Sequence, residues 1–279
     1  KQGAALIVGF PFEKDGELFN CAALLHNGEI VAIIPKTYLP NYGEFYEKRW
    51  FSARTMEATQ IQVDELDSVL FGNRVIITMG DGEESVKLGI EICEDAWAPV
   101  SPGRLLAIQG AEIIVNISAS NEVIGKAEYR RKLVSGISSS CICGYVYVSA
   151  GRYESTSDLV FSGHNLLYEN GKQLGEQKPF QNGVLIKDFQ MPKTRHDRLA
   201  NKSFADNKRQ LLAEDYENVS CEKTFMKKET LYAHVPITPF VPSHNALERC
   251  LSIFEMQVAG LQRRIETTHC KCIVVGVSG

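Results

Sequence analysis

An α/β fold, with strands layered against helices, is what this sequence predicts, and three observations carry the prediction. Apolar runs of strand length are joined by Asn-Gly dipeptides at Asn27-Gly28 and Asn170-Gly171, a strong short-range hairpin signal. Between Pro102 and Ser149, helical periodicity alternates with buried, β-branched runs. Strands that alternate with helices and also form hairpins assemble as layers around one core.

Taken in chain order, Ala4 to Phe10 is an apolar strand, followed by a polar turn over Glu13 to Glu17 and a second strand from Phe19 to Leu25. Asn27-Gly28 turns the chain into Glu29 to Pro35. Val75 to Met79 and Val86 to Ile92 form a strand pair around Gly80-Asp81-Gly82. Pro102 to Gln109 is a helix with Gly110 as its stop, and Ala111 to Ile117 is a buried strand. Lys126 to Ser140 sets Leu133, Val134, Ile137 and Cys141 on one helical face, and Tyr145 to Ser149 is the strand that follows. Asn182-Gly183 marks a third candidate turn.

After Phe189 the chain becomes polar and weakly periodic, with prolines at 236, 239 and 242, which predicts a connecting arm over 189–242. Leu247, Leu251, Phe254, Val258, Leu261 and Ile265 then form the apolar stripe of an amphipathic helix, with Ser243 as its N-cap. Cys272 to Val277 reads as a strand, ending at Ser278-Gly279. Residues 1–188 are therefore expected to form a first domain, and 243–279 the entrance to a second α/β domain.

Bulk composition narrows the function. A formal net charge of -4 on 279 residues gives no basic footprint for nucleic acid. No apolar run reaches the roughly 20 residues of a membrane helix, and no basic, apolar leader is present, so a cytoplasmic setting is expected. Eight cysteines are spread along the chain, several inside apolar runs, as free thiols are. The pairs Cys141/Cys143 and Cys270/Cys272 lack the spacing and the companion His or carboxylate ligands of a zinc site, so core filling is expected and no metal.

Chemistry concentrates in two segments. In Gly89-Ile-Glu-Ile-Cys-Glu-Asp-Ala-Trp97, Leu88, Ile90 and Ile92 share one strand face and Cys93 stands where the strand should end. A nucleophile at a strand-to-turn corner is held rigidly, with following amides free to face an oxyanion. A cysteine there is also a common buried hydrophobe, and the neighbouring Glu91, Glu94 and Asp95 disfavour a thiolate, so a positive partner is required. Lys36 is the candidate, in Pro35-Lys-Thr-Tyr-Leu-Pro-Asn-Tyr-Gly-Glu-Phe-Tyr-Glu-Lys-Arg-Trp-Phe51. It closes an apolar strand, where α/β sites gather, although a solvated lysine fits the same place.

Together these segments resemble the carbon–nitrogen hydrolase (nitrilase) superfamily, which uses a Glu, Lys, Cys triad on an αββα sandwich. The branch they resemble is the glutaminase domain of glutamine-dependent NAD synthetases. Asn116-Ile-Ser-Ala-Ser-Asn-Glu-Val-Ile-Gly-Lys-Ala-Glu-Tyr-Arg-Arg131, Gly144 to Gly151 and Glu154 to Gly163 are similar to that branch. Val274-Val-Gly-Val-Ser-Gly279 looks like the opening of its pyrophosphate loop.

The resemblance implies Cys93 as nucleophile, Lys36 as catalytic lysine and Glu47 as a supporting glutamate. It implies Tyr42, Glu94, Ser120 and Lys126 at the glutamine, with arginine an alternative at the last position. Gly276, Ser278 and Gly279 would meet ATP, which with magnesium serves a synthetase domain that amidates nicotinic acid adenine dinucleotide. A homo-oligomer is also implied. The general-base glutamate of the family lies in a Phe-Pro-Glu segment ahead of the first strand, and no such segment occurs in residues 1–279, so these residues alone are expected to hydrolyse glutamine poorly. Two other readings stay open. One is a stand-alone amidase or carbamoylase, told apart by whether turnover requires ATP. The other is a non-catalytic assembly segment, told apart by whether upstream residues restore glutaminase activity.

Overall fold

A computed structural model describes the chain except residues 1–3, 54–56, 64–67, 152, 155–158, 212–214, 222–230, 234, 243–244 and 277–279. The chain divides into a unit of residues 1–232 and a unit of residues 233–279.

The first unit opens as the sequence predicts, with a meander. Strands β1 (Ala5–Lys14), β2 (Glu17–His26) and β3 (Glu29–Pro35) are joined by two-residue turns. Asp15-Gly16 and Asn27-Gly28 both have positive φ at each position, 53° and 79° and then 51° and 90°, the backbone that matches the right-handed strand twist. With β4 (Thr59–Gln62) and β5 (Ser68–Phe71) they form a five-stranded sheet in the order β1-β2-β3-β5-β4. A second sheet takes β6 (Val75–Met79), β7 (Val86–Ile92), β8 (Ile113–Ser118), β9 (Gly144–Ser149), β10 (Asn165–Glu169) and β11 (Lys172–Gln177). Helix α1 (Pro102–Gln109) and helix α2 (Lys126–Ser140) connect β7 to β8 and β8 to β9, which run parallel. Ser101 caps α1, and Gly110 ends it at φ 128°.

Alternation along each strand sorts the side chains into layers. Ala22, Leu24, Ala32, Ile34 and Leu70 of the small sheet meet Val75, Ile77, Met79, Ile90 and Ile92 of the large one in a common core, so the two sheets pack face to face. On the other side of the large sheet, Ile114, Tyr145, Tyr147 and Leu166 pack against Leu106, Val134 and Ile137 of α1 and α2. The remaining face of the small sheet carries Phe19, Cys21, Ile33, Val69 and Phe71.

Four expectations are corrected. The stretch predicted as an arm carries α3 (Met191–Ala200), α4 (Lys202–Gln210) and β12 (Glu217–Cys221). Strand β12 pairs parallel to β6 and completes a seven-stranded sheet, with Val219 and Cys221 in the inter-sheet core. Its sequence looked polar because an edge strand here needs only those two inward residues. Asn182-Gly183 lies in irregular chain rather than between paired strands, whereas Asn170-Gly171 is the β10–β11 turn. In the second unit α5 (Ala246–Thr268) forms, with Leu247, Leu251, Phe254, Val258 and Leu261 exposed. Residues 272–276 of the predicted strand have no regular structure, since a strand exists only through a paired ladder. Ser243, predicted as the helix cap, lies outside the described residues. Cys141 and Cys143 are buried as core fillers, but Cys270 and Cys272 are exposed. No helix among the described residues is long and apolar enough to cross a membrane.

Arginines fix α3 to the large sheet. Arg198 donates to the carbonyl oxygens of Ile142 at 2.9 Å, Ala111 at 2.8 Å and Cys141 at 3.2 Å, and Arg195 pairs with Glu112 while also bonding the carbonyls of Glu83 and Ser85. Arg198→Ala should therefore lower stability by about 2–4 kcal/mol, as charge-assisted bonds to three main-chain acceptors are lost. The urea midpoint measures it, and an unchanged midpoint would restore the arm description.

Candidate active site

Strand β7 ends at Ile92, and Cys93 begins a five-residue 3-10 turn, Cys93–Trp97. Cys93 has φ 48°, a left-handed conformation that costs a non-glycine residue about 1–3 kcal/mol and that the surroundings must hold. Asn116 of β8 donates its Nδ2 to the Cys93 carbonyl at 3.3 Å. The Ala119 amide and the Ser118 hydroxyl, just beyond β8 and at its end, lie near the thiol and favour its charged form.

Lys36 directly follows β3 and is 1% exposed. Its Nζ donates to both carboxylate oxygens of Glu47, each at 2.7 Å. Glu47 opens a 3-10 turn whose entry is fixed by its amide bonding the Pro40 carbonyl at 3.1 Å. Burial raises the pKa of the Cys93 thiol, and the Lys36 charge is the strongest influence opposing that rise; Glu47 pushes the other way. The sequence offered Lys36 as the cation for the thiol, and the fold brings it from the facing sheet.

The predicted substrate residues collect around this pair. Tyr42 donates its hydroxyl to the Glu94 carboxylate at 2.8 Å and 3.0 Å, and burial with that carboxylate raises its pKa to about 12. Ser120 is buried just beyond β8, next to Tyr147, which in turn lies near the thiol. Lys126, the first residue of α2, has Nζ 5.5 Å from the Phe45 ring centre and 5.7 Å from that of Trp97, and it bonds Asn121. Burial, and then the neighbouring Arg130, lower its pKa. Gly276 lies in irregular chain of the second unit, and Ser278 and Gly279 lie outside the described residues.

Four contributors escaped the sequence. Asn121 also donates to Glu44 at 2.6 Å, so a carboxylate stands one residue away from the lysine. Asn116 grips the nucleophile's carbonyl. Glu91, 1% exposed, accepts from the Gly103 amide at 2.8 Å and from the Tyr145 hydroxyl on the helix side of the sheet. A β-carbon at Gly103 would stand 2.6 Å from that carboxylate, so glycine is required there. Asp95 accepts from three main-chain amides; its only sequence signal is its place three residues after the strand end, the spacing at which a side chain reaches back to a capping amide. Burial and then the Glu91 charge raise its pKa to about 7.

Comparison with known proteins relates the chain to a family by sequence and fold. The family model described as carbon-nitrogen hydrolase matches residues 1–198. The glutamine-dependent NAD(+) synthetase of Mycobacterium tuberculosis is 34% identical over 281 residues, covering 98% of this chain and 41% of the relative. That of Thermotoga maritima is 26% identical over 284 residues, covering 99% of this chain and 42% of the relative. Among solved structures, the glutamine-dependent NAD(+) synthetase of Cytophaga hutchinsonii superposes with a TM-score of 0.53 at 29% identity, over 62% of this chain and 27% of that one. A carbon-nitrogen hydrolase of Helicobacter pylori superposes with a TM-score of 0.58 at 18% identity, over 77% of this chain and 73% of that one, a likeness of fold. The chain thus spans about two fifths of the length of the curated relatives it matches.

Two outcomes follow from the electrostatics. Lys36→Met should move the pH midpoint of Cys93 alkylation by iodoacetamide upward, because the charge that favours thiolate is gone; an unchanged midpoint would uncouple the two residues. Peptide mass spectrometry separates Cys93 from the exposed thiols. For Asp95, a folded pKa of about 7 against an ordinary 3.8 means that folding favours the protonated form. Its contribution is full below the unfolded value and is lost as pH rises through the folded one. Relative to Asp95→Asn, the wild type should lose on the order of 4 kcal/mol between those two pH values, read as diverging urea midpoints.

Proposed function

The chain belongs to the carbon–nitrogen hydrolase family, and we propose that it hydrolyses the side-chain amide of glutamine through Cys93, supplying ammonia for ATP-dependent amidation of nicotinic acid adenine dinucleotide to NAD in the intact protein. The observation that carries this reading is the buried Lys36, held by Glu47 and electrostatically coupled to a strained cysteine at a strand end. The kinship to proteins named glutamine-dependent NAD(+) synthetases along nearly the whole chain favours glutamine over other amides.

In the proposed reaction a carboxylate base takes the Sγ proton and the sulfur attacks the amide carbon. Lys36 and a main-chain amide near Glu94 stabilise the oxyanion. The base returns its proton to the amide nitrogen, the C–N bond breaks, and ammonia leaves a glutamyl thioester. Water, deprotonated by the same base, attacks the thioester and gives glutamate and the free thiol. The base is the glutamate of the family's Phe-Pro-Glu segment. Tyr42, Glu94, Ser120 and Lys126 hold the amino acid. Lys126 takes the substrate carboxylate as a point charge, where arginine would offer a fork.

Residues 243–279 lead into the synthetase domain in this reading, and Gly276, Ser278 and Gly279 belong to the loop that would meet ATP and its magnesium ion. The working setting is a cytoplasmic homo-oligomer, consistent with the free thiols of a reducing compartment.

Cys93→Ala in the intact protein should abolish NAD formation from glutamine, a loss of at least about 10⁴-fold, and leave ammonia-driven synthesis within about twofold. Equal loss of both activities would sink the proposal. Amide hydrolysis that proceeds without any ATP-dependent product would favour the stand-alone amidase.

A further inference from the structure

The reaction as written leaves two buried carboxylates beside the nucleophile, Glu91 and Asp95, without a task, and Asp95 is the one that faces the lysine's strand. Asp95 is 1% exposed, two residues beyond Cys93. Its Oδ1 accepts from the Tyr38 amide at 2.7 Å and the Thr37 amide at 3.2 Å, and its Oδ2 accepts from the Ile92 amide at 3.0 Å. Thr37 and Tyr38 are the two residues after Lys36, and Ile92 is the residue before Cys93.

These amides belong to different sheets. Strand β3 lies in the five-stranded sheet and β7 in the seven-stranded one, and each pairs only within its own sheet. Between the sheets, contact is by apolar side chains such as Ile34 and Ile92, which is attractive but not directional. A carboxylate bonded to amides from both strand ends is directional. It also takes the amide just ahead of Cys93 while Asn116 holds the carbonyl just behind, so the left-handed corner is clamped on both sides. Asn73 steadies the same loop by donating to the Thr37 hydroxyl at 2.8 Å.

We infer that Asp95 is a positioning residue that fixes the Lys36 main chain against the Cys93 corner across the two sheets, so that the ammonium stands where the oxyanion develops. The inference rests on Cys93 and Lys36 being the reacting pair. A displacement of about 1 Å in such a pair costs on the order of 10²-fold in rate, without requiring any change in substrate affinity.

The test is glutamine hydrolysis by the intact protein, with kcat and KM measured for wild type, Asp95→Asn, Asp95→Glu and Cys93→Ala, and folding checked by circular dichroism. Asp95→Asn keeps the size but turns an N–H donor toward amides. Asp95→Glu keeps the charge and moves the oxygens by one methylene. Both should lower kcat by about 10²-fold while KM stays within about threefold, since only an interaction of the transition state is disturbed. If Asp95→Asn does not fold, Asp95→Glu decides. A folded variant with unchanged kcat, or a loss expressed wholly in KM, overturns the inference, as does failure of both variants to fold, which assigns Asp95 to stability alone. A wild type that does not hydrolyse glutamine, or a Cys93→Ala that still does, overturns the underlying reaction and this inference with it.

Discussion

The packing of the two sheets against each other is the constraint on which the site depends. Neither β3 nor β7 carries enough chemistry by itself: one delivers a lysine, the other a cysteine. Their inward residues, Ala32 and Ile34 on one side and Ile90 and Ile92 on the other, share a single core. Burying that core brings the two strand ends to the same place and encloses Lys36 at 1% exposure. A buried ammonium is tolerated only with partners, and Glu47 supplies both oxygens. The eight-residue approach from Pro40 to Glu47, closed by the Glu47 amide on the Pro40 carbonyl, is what returns that carboxylate to the lysine.

Several local rules are broken around this meeting point, all in the same direction. Cys93 adopts a left-handed backbone without being glycine, and Glu91 and Asp95 bring two carboxyl groups into the interior within one turn of chain. Each choice opposes stability: the strained φ, the desolvated acids, and their mutual repulsion, which together with burial lifts Asp95 to about 7. Hydrogen bonds offset part of this, with Gly103 and Tyr145 on Glu91 and three amides on Asp95. Local conflict of this kind is expected where a fold sustains chemistry rather than packing alone.

What was legible in the sequence is what is local. The Asn27-Gly28 and Asn170-Gly171 turns, the Gly110 stop and the span of α2 are dictated by neighbouring residues, and they appear where predicted. The strand-end places of Lys36 and Cys93 and the nearness of Glu47 to the lysine were legible because these residues sit in compact motifs with a family resemblance. Asp95 was not, because its partners Thr37 and Tyr38 are 58 and 57 residues away, and the link from Asn121 to Glu44 spans 77. The same reason hides β12: nothing in Glu217–Cys221 announces a strand until β6 offers an edge. The inverse error occurs at Cys272–Val277, where an apolar run suggested a strand and its described residues have no partner strand.

The identity of the base can be argued from how the acids near the thiol are occupied. Glu47 is committed to Lys36 through both oxygens, and withdrawing it would leave a buried ammonium unpaired. Asp95 has its oxygens turned to main-chain amides, and Glu91 faces the helix layer, bonded to Gly103 and Tyr145. Glu94 accepts from Tyr42 in the substrate region. Each of the four therefore has a task that proton transfer at Sγ would interrupt. A base must also alternate between charged and neutral forms in each cycle, and every alternation of Glu47 would weaken the hold on Lys36 at the moment the oxyanion needs it. The proposed reaction accordingly needs a fifth carboxylate, free of such ties, which is the part the resemblance gives to the glutamate of a Phe-Pro-Glu segment.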